Sequence, residues 1–256
     1  MLSPDERERY ARHILLKEIG GPGQQRLKAT RVAIVGAGGL GAPAALYLAA
    51  AGVGRLRLID DDVVSLSNLQ RQIVFRSKDA GAPKVERAAA TLHALNPHVE
   101  IEQRNARLTN ANAAGLLADA HLVLDGTDDF ATRFAVNAAC HTLGVTLISG
   151  AVGRWDGQLA TFKSGITKHL PEDQRLPCYR CFVPEAPPNA ETCAQVGVVG
   201  ALTGVIGSMM ALEAIKEIAD AGESLAGRIF LFDGLGASAR RVALPRDPAC
   251  VVCGHG

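Results

Sequence analysis

The chain has 256 residues, 27 Lys and Arg against 26 Asp and Glu, and a formal charge of +1. Near-neutrality argues against a nucleic-acid surface spread over the whole molecule, leaving only a local basic groove as an option. With 48% apolar and 21% charged residues it is no disordered chain, and with 4% aromatics its core is aliphatic. A chain of this size buries about 70% of its unfolded surface, enough for one large α/β core.

Pro4 to Lys17 carries Tyr10, Ile14, Leu15 and Leu16 at near-helical spacing, which predicts an amphipathic N-terminal arm that Gly20-Gly-Pro-Gly23 breaks. The charged start lacks a signal-peptide core, so a cytoplasmic protein is expected. Arg31–Val35 reads as a central strand, Gly36–Gly41 as a turn and Ala42–Ala51 as a helix. Arg55–Ile59 is a second strand ending at Asp60-Asp-Asp62, and Lys84–Leu95 is a helix stopped by Pro97. Leu122–Leu124 and Val145–Ile148 are further strands with a helix, Ala131–Leu143, between them. This alternation predicts a Rossmann-like, doubly wound parallel sheet over residues 31–150.

The grammar then changes. Gln158–Lys163, Arg228–Phe232 and Arg241–Leu244 read as strands, the first two separated by a Pro-rich loop and one long helix. An antiparallel continuation of the same sheet is expected over residues 151–256. Pro184–Ala190 is the candidate for a flexible or ligand-responsive loop. The uncharged stretch Val196–Leu212 contains four glycines and is followed at once by Glu213, Lys216 and Glu217. It reads as a buried helix packed through small residues, not as a membrane span.

Gly36, Gly38 and Gly41 satisfy G-x-G-x-x-G between a strand and a helix, a turn whose N–H groups approach phosphate at a helix N-terminus. Asp60, at the end of the next strand, is placed for a ribose hydroxyl. Alone, these fit NAD as well as ATP, and no P-loop signature follows. Ser65–Gln72 supplies Asn68 and Arg71, Ala82-Pro-Lys84 opens a helix with a cation, and Asp125-Gly-Thr-Asp-Asp129 ends another strand. Two cations, an amide and a fresh carboxylate suit a triphosphate reaction, in which cations offset phosphate charge and a carboxylate holds Mg²⁺.

Cys178, Cys181, Cys250 and Cys253 form two Cys-x-x-Cys pairs. In a reducing compartment that pattern reads as tetrahedral Zn²⁺ with a closed, structural shell, stapling the chain's end to the loop after the sheet. Cys140 lies among apolar helix residues and reads as core.

The chain resembles the MoeB/ThiF (HesA/MoeB/ThiF) family of sulfur-carrier adenylyltransferases, relatives of the adenylation domains of ubiquitin-activating enzymes. The resemblance rests on Arg9-Tyr-Ala-Arg12, the Gly36–Gly41 turn, Asp60-Asp-Asp62, Ser67-Asn-Leu-Gln-Arg71, Pro83-Lys84, Asp125-Gly-Thr-Asp128, Cys178-Tyr-Arg-Cys181, Thr192-Cys193 and Cys250-Val-Val-Cys253. It implies one adenylation domain over 1–256: a helical arm to residue 30, a nucleotide half over 31–150, and a carrier-binding half with the zinc site over 151–256.

It further implies a homodimer that binds ATP–Mg²⁺ and the tail of a ubiquitin-like sulfur carrier protein, MoaD- or ThiS-like and ending in Gly-Gly. The tail's carboxylate attacks the α-phosphate, giving an acyl-adenylate and pyrophosphate. Carried over, Gly39, Gly41 and Ser67 lie in the nucleotide-binding loops and Asp60 binds ribose. Asn68, Arg71 and Lys84 contact phosphate, Asp128 lies at Mg²⁺, and Arg12 reaches the partner subunit's ATP. Cys193 either joins the carrier or sulfur chemistry, or is a small residue without chemistry.

Asp129 stands where the family commonly has Asn, adding a negative charge near the nucleotide, and Ser164–Leu176 is longer and more charged than expected. The pathway is molybdopterin or thiamine synthesis. No rhodanese-like extension follows Gly256, so a separate sulfur donor is expected. Two competing readings are a nicotinamide-dependent oxidoreductase, which leaves Ser67–Arg71, Lys84 and Asp128 idle, and a silent scaffold for a ubiquitin-like protein. Neither nucleic acid nor membrane is an expected partner.

Overall fold

A computed structural model describes residues 1–188 and 197–254. The arm is two short helices. Helix α1 (Pro4–Arg9) opens on a capping box, in which Ser3 Oγ accepts from Glu6 N at 3.1 Å and Glu6 Oε2 accepts from Ser3 N at 2.7 Å. Tyr10 separates it from α2 (Ala11–Ile14) and buries its ring, its hydroxyl accepting from Asn96 Nδ2 at 2.8 Å. Gly20-Gly-Pro-Gly23 does not break the chain as its composition suggests. It forms the first turn of α3 (Gly20–Ala29), where Pro22 has no intrahelical hydrogen bond to lose.

Eight strands make one sheet in the order β3-β2-β1-β4-β5-β6-β7-β8. Strands β1 (Arg31–Val35), β2 (Arg55–Ile59), β3 (Glu100–Arg104), β4 (Leu122–Asp125) and β5 (Thr146–Gly153) run parallel. Strands β6 (Asp156–Phe162), β7 (Arg228–Asp233) and β8 (Ser238–Ala243) continue it antiparallel. The change at β5–β6 bears out the expected switch of grammar. It costs only a tight hairpin, whereas each parallel step needs a crossover.

Period-two alternation divides the central strands between two cores. Val32, Ile34, Leu56, Leu58, Leu124 and Ile148 face one side, packed under α4 (Gly41–Ala50), α5 (Lys84–Leu95) and the long helix that crosses from β6 to β7. Ala33, Val35, Ile59, Val123 and Leu147 face the other, under α6 (Ala113–Leu117) and α7 (Phe130–Leu143). Helices cover both faces, which is why β1 is apolar from Val32 to Val35 and β4 from Leu122 to Leu124.

After α8 (Ser164–Thr167) and α9 (Tyr179–Phe182), the uncharged stretch becomes helix α10 (Gly200–Ala219), buried through Leu202, Ile206, Met210 and Ala214. Among the described residues no helix is long and apolar enough to cross a membrane.

Strand β3 and helix α6 escape the sequence reading, as do the four-residue helices α8 and α9. Strand β3 has one apolar residue, Ile101, and is held by pairing with β2 and by the Arg57–Glu102 ion pair at 2.7 Å. Helix α6 is five residues long, too short to declare a period.

Candidate nucleotide site and cysteine centre

The parallel strands end on one rim, and a cavity of about 630 Å³ opens there between β1 and β4. That is the switch point, where the chain leaves β1 for β2 and β3 on one side and returns to β4 on the other. Of the residues singled out in the sequence, Gly39, Asp60, Asn68, Arg71, Lys84 and Asp128 all line this cavity. They come from four separated loops and from the start of α5, so only the fold brings them together.

The glycine turn is built by close approach. Gly36 has φ +87°, a conformation that disfavours any side chain. A Cβ on Gly41 would stand 1.8 Å from the Gly36 carbonyl oxygen, so Gly41 lets α4 start directly on the turn. Gly41 therefore shapes the turn while Gly39 lines the cavity. Among the described residues no side chain caps α4; Ala42 N donates to the Gly38 carbonyl at 3.0 Å and Pro43 carries no N–H, so the Leu40 and Gly41 N–H groups are the ones left to a ligand.

Asp60 ties this turn to the next strand. Its Oδ2 accepts from Ala37 N at 2.7 Å and its Oδ1 from Asp62 N at 2.9 Å. Burial pushes its carboxyl up from the ordinary range, opposed by the charge of Lys84 and by those two backbone donors. Lys84 is itself buried, with Nζ on Asp62 Oδ2 at 2.6 Å. A buried ammonium beside an exposed carboxylate is a cation held in place for a second anion.

Arg71 is half-buried and spends one donor, Nη1, on the Ser67 carbonyl at 3.1 Å. Ser67 lies outside the cavity wall, its Oγ 3.0 Å from Ser65 Oγ, and acts on the site by steadying Arg71. Asn68 Oδ1 closes the same turn by accepting from Ser65 N at 3.1 Å. Asp128 is exposed on the opposite wall.

Asp129 has a structural use. It caps α7 by accepting from Thr132 N at 2.9 Å, and Arg107 Nη2 approaches its other oxygen at 3.7 Å. Its charge is thus shared with a helix N-terminus and a cation, which accommodates Asp at a position where Asn would cap equally well.

Sequence reasoning missed Arg133. It is buried, lines the cavity, and donates to Ser149 Oγ at 3.2 Å, to the Gly150 carbonyl at 2.9 Å and to the Thr127 carbonyl. Its counter-charge is Asp125, 3.8 Å away and also bonded to Thr127 Oγ1 (2.7 Å) and Ser149 Oγ (3.0 Å). This network clamps the loop that carries Asp128. The available signal was a charge on the face of α7 shared with Val136, Asn137 and Cys140, all buried.

Arg133→Met leaves the Asp125 carboxylate buried without its partner, so it is expected to lower unfolding free energy by roughly 3–5 kcal/mol. Urea denaturation reads this, and an unchanged midpoint would show the pair to be idle.

Arg12 lies on α2, exposed and outside the cavity of its own subunit. Cys193 lies outside the described residues, as does the end of the Pro184–Ala190 loop.

Four of the five other cysteines converge. Cys178 and Cys181 flank the start of α9, and Cys250 and Cys253 lie in the C-terminal turn. Sulfur separations are 3.6 Å for Cys178–Cys250 and 3.3 Å for Cys181–Cys253, and all four sulfurs lie within 4.8 Å of one another. Metal–sulfur bonds of about 2.3 Å in a tetrahedron need sulfurs about 3.8 Å apart. The set therefore fits a tetrahedral thiolate-binding metal.

The surroundings fit as well. Asp247 N donates to Cys181 Sγ at 3.4 Å, and Arg246 grips the Cys253 and Gly254 carbonyls at 2.9 and 3.0 Å. Cys140 is buried in α7, and burial drives its thiol well above the ordinary range, as befits a core residue.

A glycine turn at a switch point, with a carboxylate after the next strand and two cations lining the same cavity, marks a nucleotide-binding domain of Rossmann type. Comparison with known proteins narrows this. Residues 10–252 match the model of the ThiF family.

The chain is 46% identical to the molybdopterin-synthase adenylyltransferase of Escherichia coli, covering 99% of both chains. It is 44% identical to the sulfur carrier protein adenylyltransferase of Thermus thermophilus, over 98% of this chain and 92% of that one. It is also 44% identical to the SAMP-activating enzyme E1 of Haloferax volcanii, over 100% and 92%. A crystal structure of E. coli MccB superposes with a TM-score of 0.81 over 97% of this chain and 75% of that chain; at 21% identity this speaks for the fold alone. The protein belongs to the ThiF family.

Proposed function

We propose that the protein adenylates the C-terminal glycine of a ubiquitin-like sulfur carrier protein with ATP–Mg²⁺, releasing pyrophosphate, in molybdopterin synthesis. The observation that carries this is the meeting of Asn68, Arg71, Lys84 and Asp128 around one glycine turn, a set that a nicotinamide site leaves without work. The pathway rests on the name of the 46%-identical E. coli relative, which this chain matches end to end.

A second cavity supports the choice of substrate. It runs along β5–β8 and shares Ala151, Val152 and Gln158 with the nucleotide cavity. A peptide tail lying in that groove delivers its terminal carboxylate to the nucleotide.

The reaction joins two anions. The carboxylate oxygen attacks the α-phosphorus, the bond to the β-phosphate breaks, and its electron pair leaves on pyrophosphate. Arg71 and Lys84 lower the mutual repulsion and hold the phosphates in line. Asp60 fixes the ribose, and Gly39 lets the backbone come close to phosphate. Asp128 is the carboxylate that would hold Mg²⁺, which when bound would supply positive charge at the phosphates. No general base is required, since a carboxylate is ionised at pH 7, and no histidine is assigned one. Arg12 acts from the partner subunit of a homodimer. Cys178, Cys181, Cys250 and Cys253 would hold a structural Zn²⁺, tying the C-terminal turn to the start of α9 within the carrier-binding half, residues 151–256.

Cofactor titration separates this reading from the oxidoreductase. ATP–Mg²⁺ at about 100 times its Kd stabilises by about 2.7 kcal/mol, a rise in melting temperature of roughly 5–10 °C for a chain of this size. NAD is expected to give no rise, and the opposite pattern would sink the adenylation reading.

A further inference from the structure

We propose that Gln72 is a further nucleotide-binding residue, its side-chain amide donating a hydrogen bond to the phosphate over the Gly38–Gly39 turn. This rests on the nucleotide reading of the cavity but not on the identity of the carrier.

Gln72 is only 3% exposed, yet it lines the cavity. Its backbone already holds the local turn: its N–H donates to the Asn68 carbonyl at 2.9 Å and its carbonyl accepts from Phe75 N at 3.2 Å. The side chain is free of that duty. Its Oε1 is buried and has no hydrogen-bond partner among the described residues. An apolar side chain of the same length would fill the space without an orphaned polar atom, so a carboxamide here works against stability.

The other end of the amide points to what offsets this. Nε2 lies 3.7 Å from the place a Cβ would take on Gly38, so it faces the glycine turn. Rotating the amide by half a turn would merely orphan the amino group instead. In either orientation one end waits for a partner from outside the protein.

The neighbourhood determines the class of that partner. Gly39 leaves room beside Arg71 Cδ, 3.5 Å from a Cβ built there, and α4 begins at this point without a side-chain cap. The Leu40 and Gly41 N–H groups, the Arg71 guanidinium and Gln72 Nε2 are all donors, and Leu40, Arg71 and Gln72 line one cavity beside the Gly38–Gly39 turn. A phosphate oxygen accepts from all of them. Arg71 supplies charge, and Gln72 supplies direction from the buried side.

The test is calorimetric binding of ATP–Mg²⁺ and of adenosine to the full chain carrying Gln72→Leu, without carrier. ATP affinity is expected to fall about tenfold, the loss of one charge-assisted hydrogen bond. Adenosine affinity is expected to stay as in the parent protein, and the melting temperature to stay level or rise as the orphaned oxygen goes. Gln72→Glu, which sets a carboxylate against phosphate, should weaken ATP further and again spare adenosine. Gln72→Met repeats the test should the branched leucine fail to fold.

Unchanged ATP affinity, or equal weakening of ATP and adenosine, overturns the proposal, the second result marking a purely structural residue. The assay contains no carrier, so a parent protein inactive toward every Gly-Gly carrier would refute the proposed function while leaving these affinities readable.

Discussion

Arg71→Ala is expected to abolish carrier-dependent ATP–pyrophosphate exchange, a loss of about a thousandfold or more, in a protein that still folds. The size follows from the chemistry. A carboxylate and a phosphate repel, so the barrier is largely electrostatic, and one preorganised cation at such a centre is worth about 10³ or more in rate. Arg71 is suited to that role because its backbone loop is fixed independently by Asn68 and its Nη1 by the Ser67 carbonyl. The remaining donors are free to follow charge as it moves from the α-phosphate to pyrophosphate.

Asp128→Ala is expected to fail equally, through loss of the carboxylate proposed for Mg²⁺, while the Asp125–Arg133 clamp behind it stays intact. Both residues sit at half-buried or exposed positions, so the melting temperatures of the variants should lie within a few degrees of the parent protein. Exchange near the parent rate in either purified variant would remove that residue from the mechanism.

The second large effect concerns the cysteine centre. Strong chelation, or Cys250→Ser, is expected to lower the melting temperature by roughly 10 °C. Structural zinc contributes folding free energy directly, and each kcal/mol moves the transition of a chain this size by about 2–4 °C. The reason is topological. Cys250 and Cys253 secure the C-terminal turn, and Cys178 and Cys181 secure the start of α9. With the metal gone, the sulfurs at 3.3 and 3.6 Å are packed together without a shared positive charge. Zinc below one equivalent in protein purified without chelator would refute the assignment.

The sequence was most informative where structure is local. The strand–turn–helix unit around Gly36–Gly41 is bounded within a residue of its reading, because an apolar run, a glycine turn and an Ala-rich helix each declare themselves. Helix α5 starts at Lys84 and ends at Leu95 as read, bounded by Pro83 and Asn96.

The sequence was least informative where partners make the element. Strand β3 is charged on its own and becomes a strand only beside β2. The Gly20–Gly23 segment looks like a break by composition, yet a first helical turn has no internal hydrogen bonds for proline to remove. The same division holds in the site. Asp60, Lys84 and Asp128 could be picked out because they follow strands or open a helix, and Arg71 because it lies in the polar block Ser65–Gln72 just past Asp60. Arg133 and Gln72 could not, since burial and an unpaired amide exist only in three dimensions.

The most direct test mixes the protein with ATP–Mg²⁺ and a purified MoaD-like carrier ending in Gly-Gly, and follows the carrier by intact mass. The carrier is expected to gain one adenylyl group, with pyrophosphate released in equal amount, and deleting its last glycine is expected to abolish the gain. A carrier that keeps its mass while the protein binds ATP, with ThiS-like carriers equally unmodified, would contradict the account.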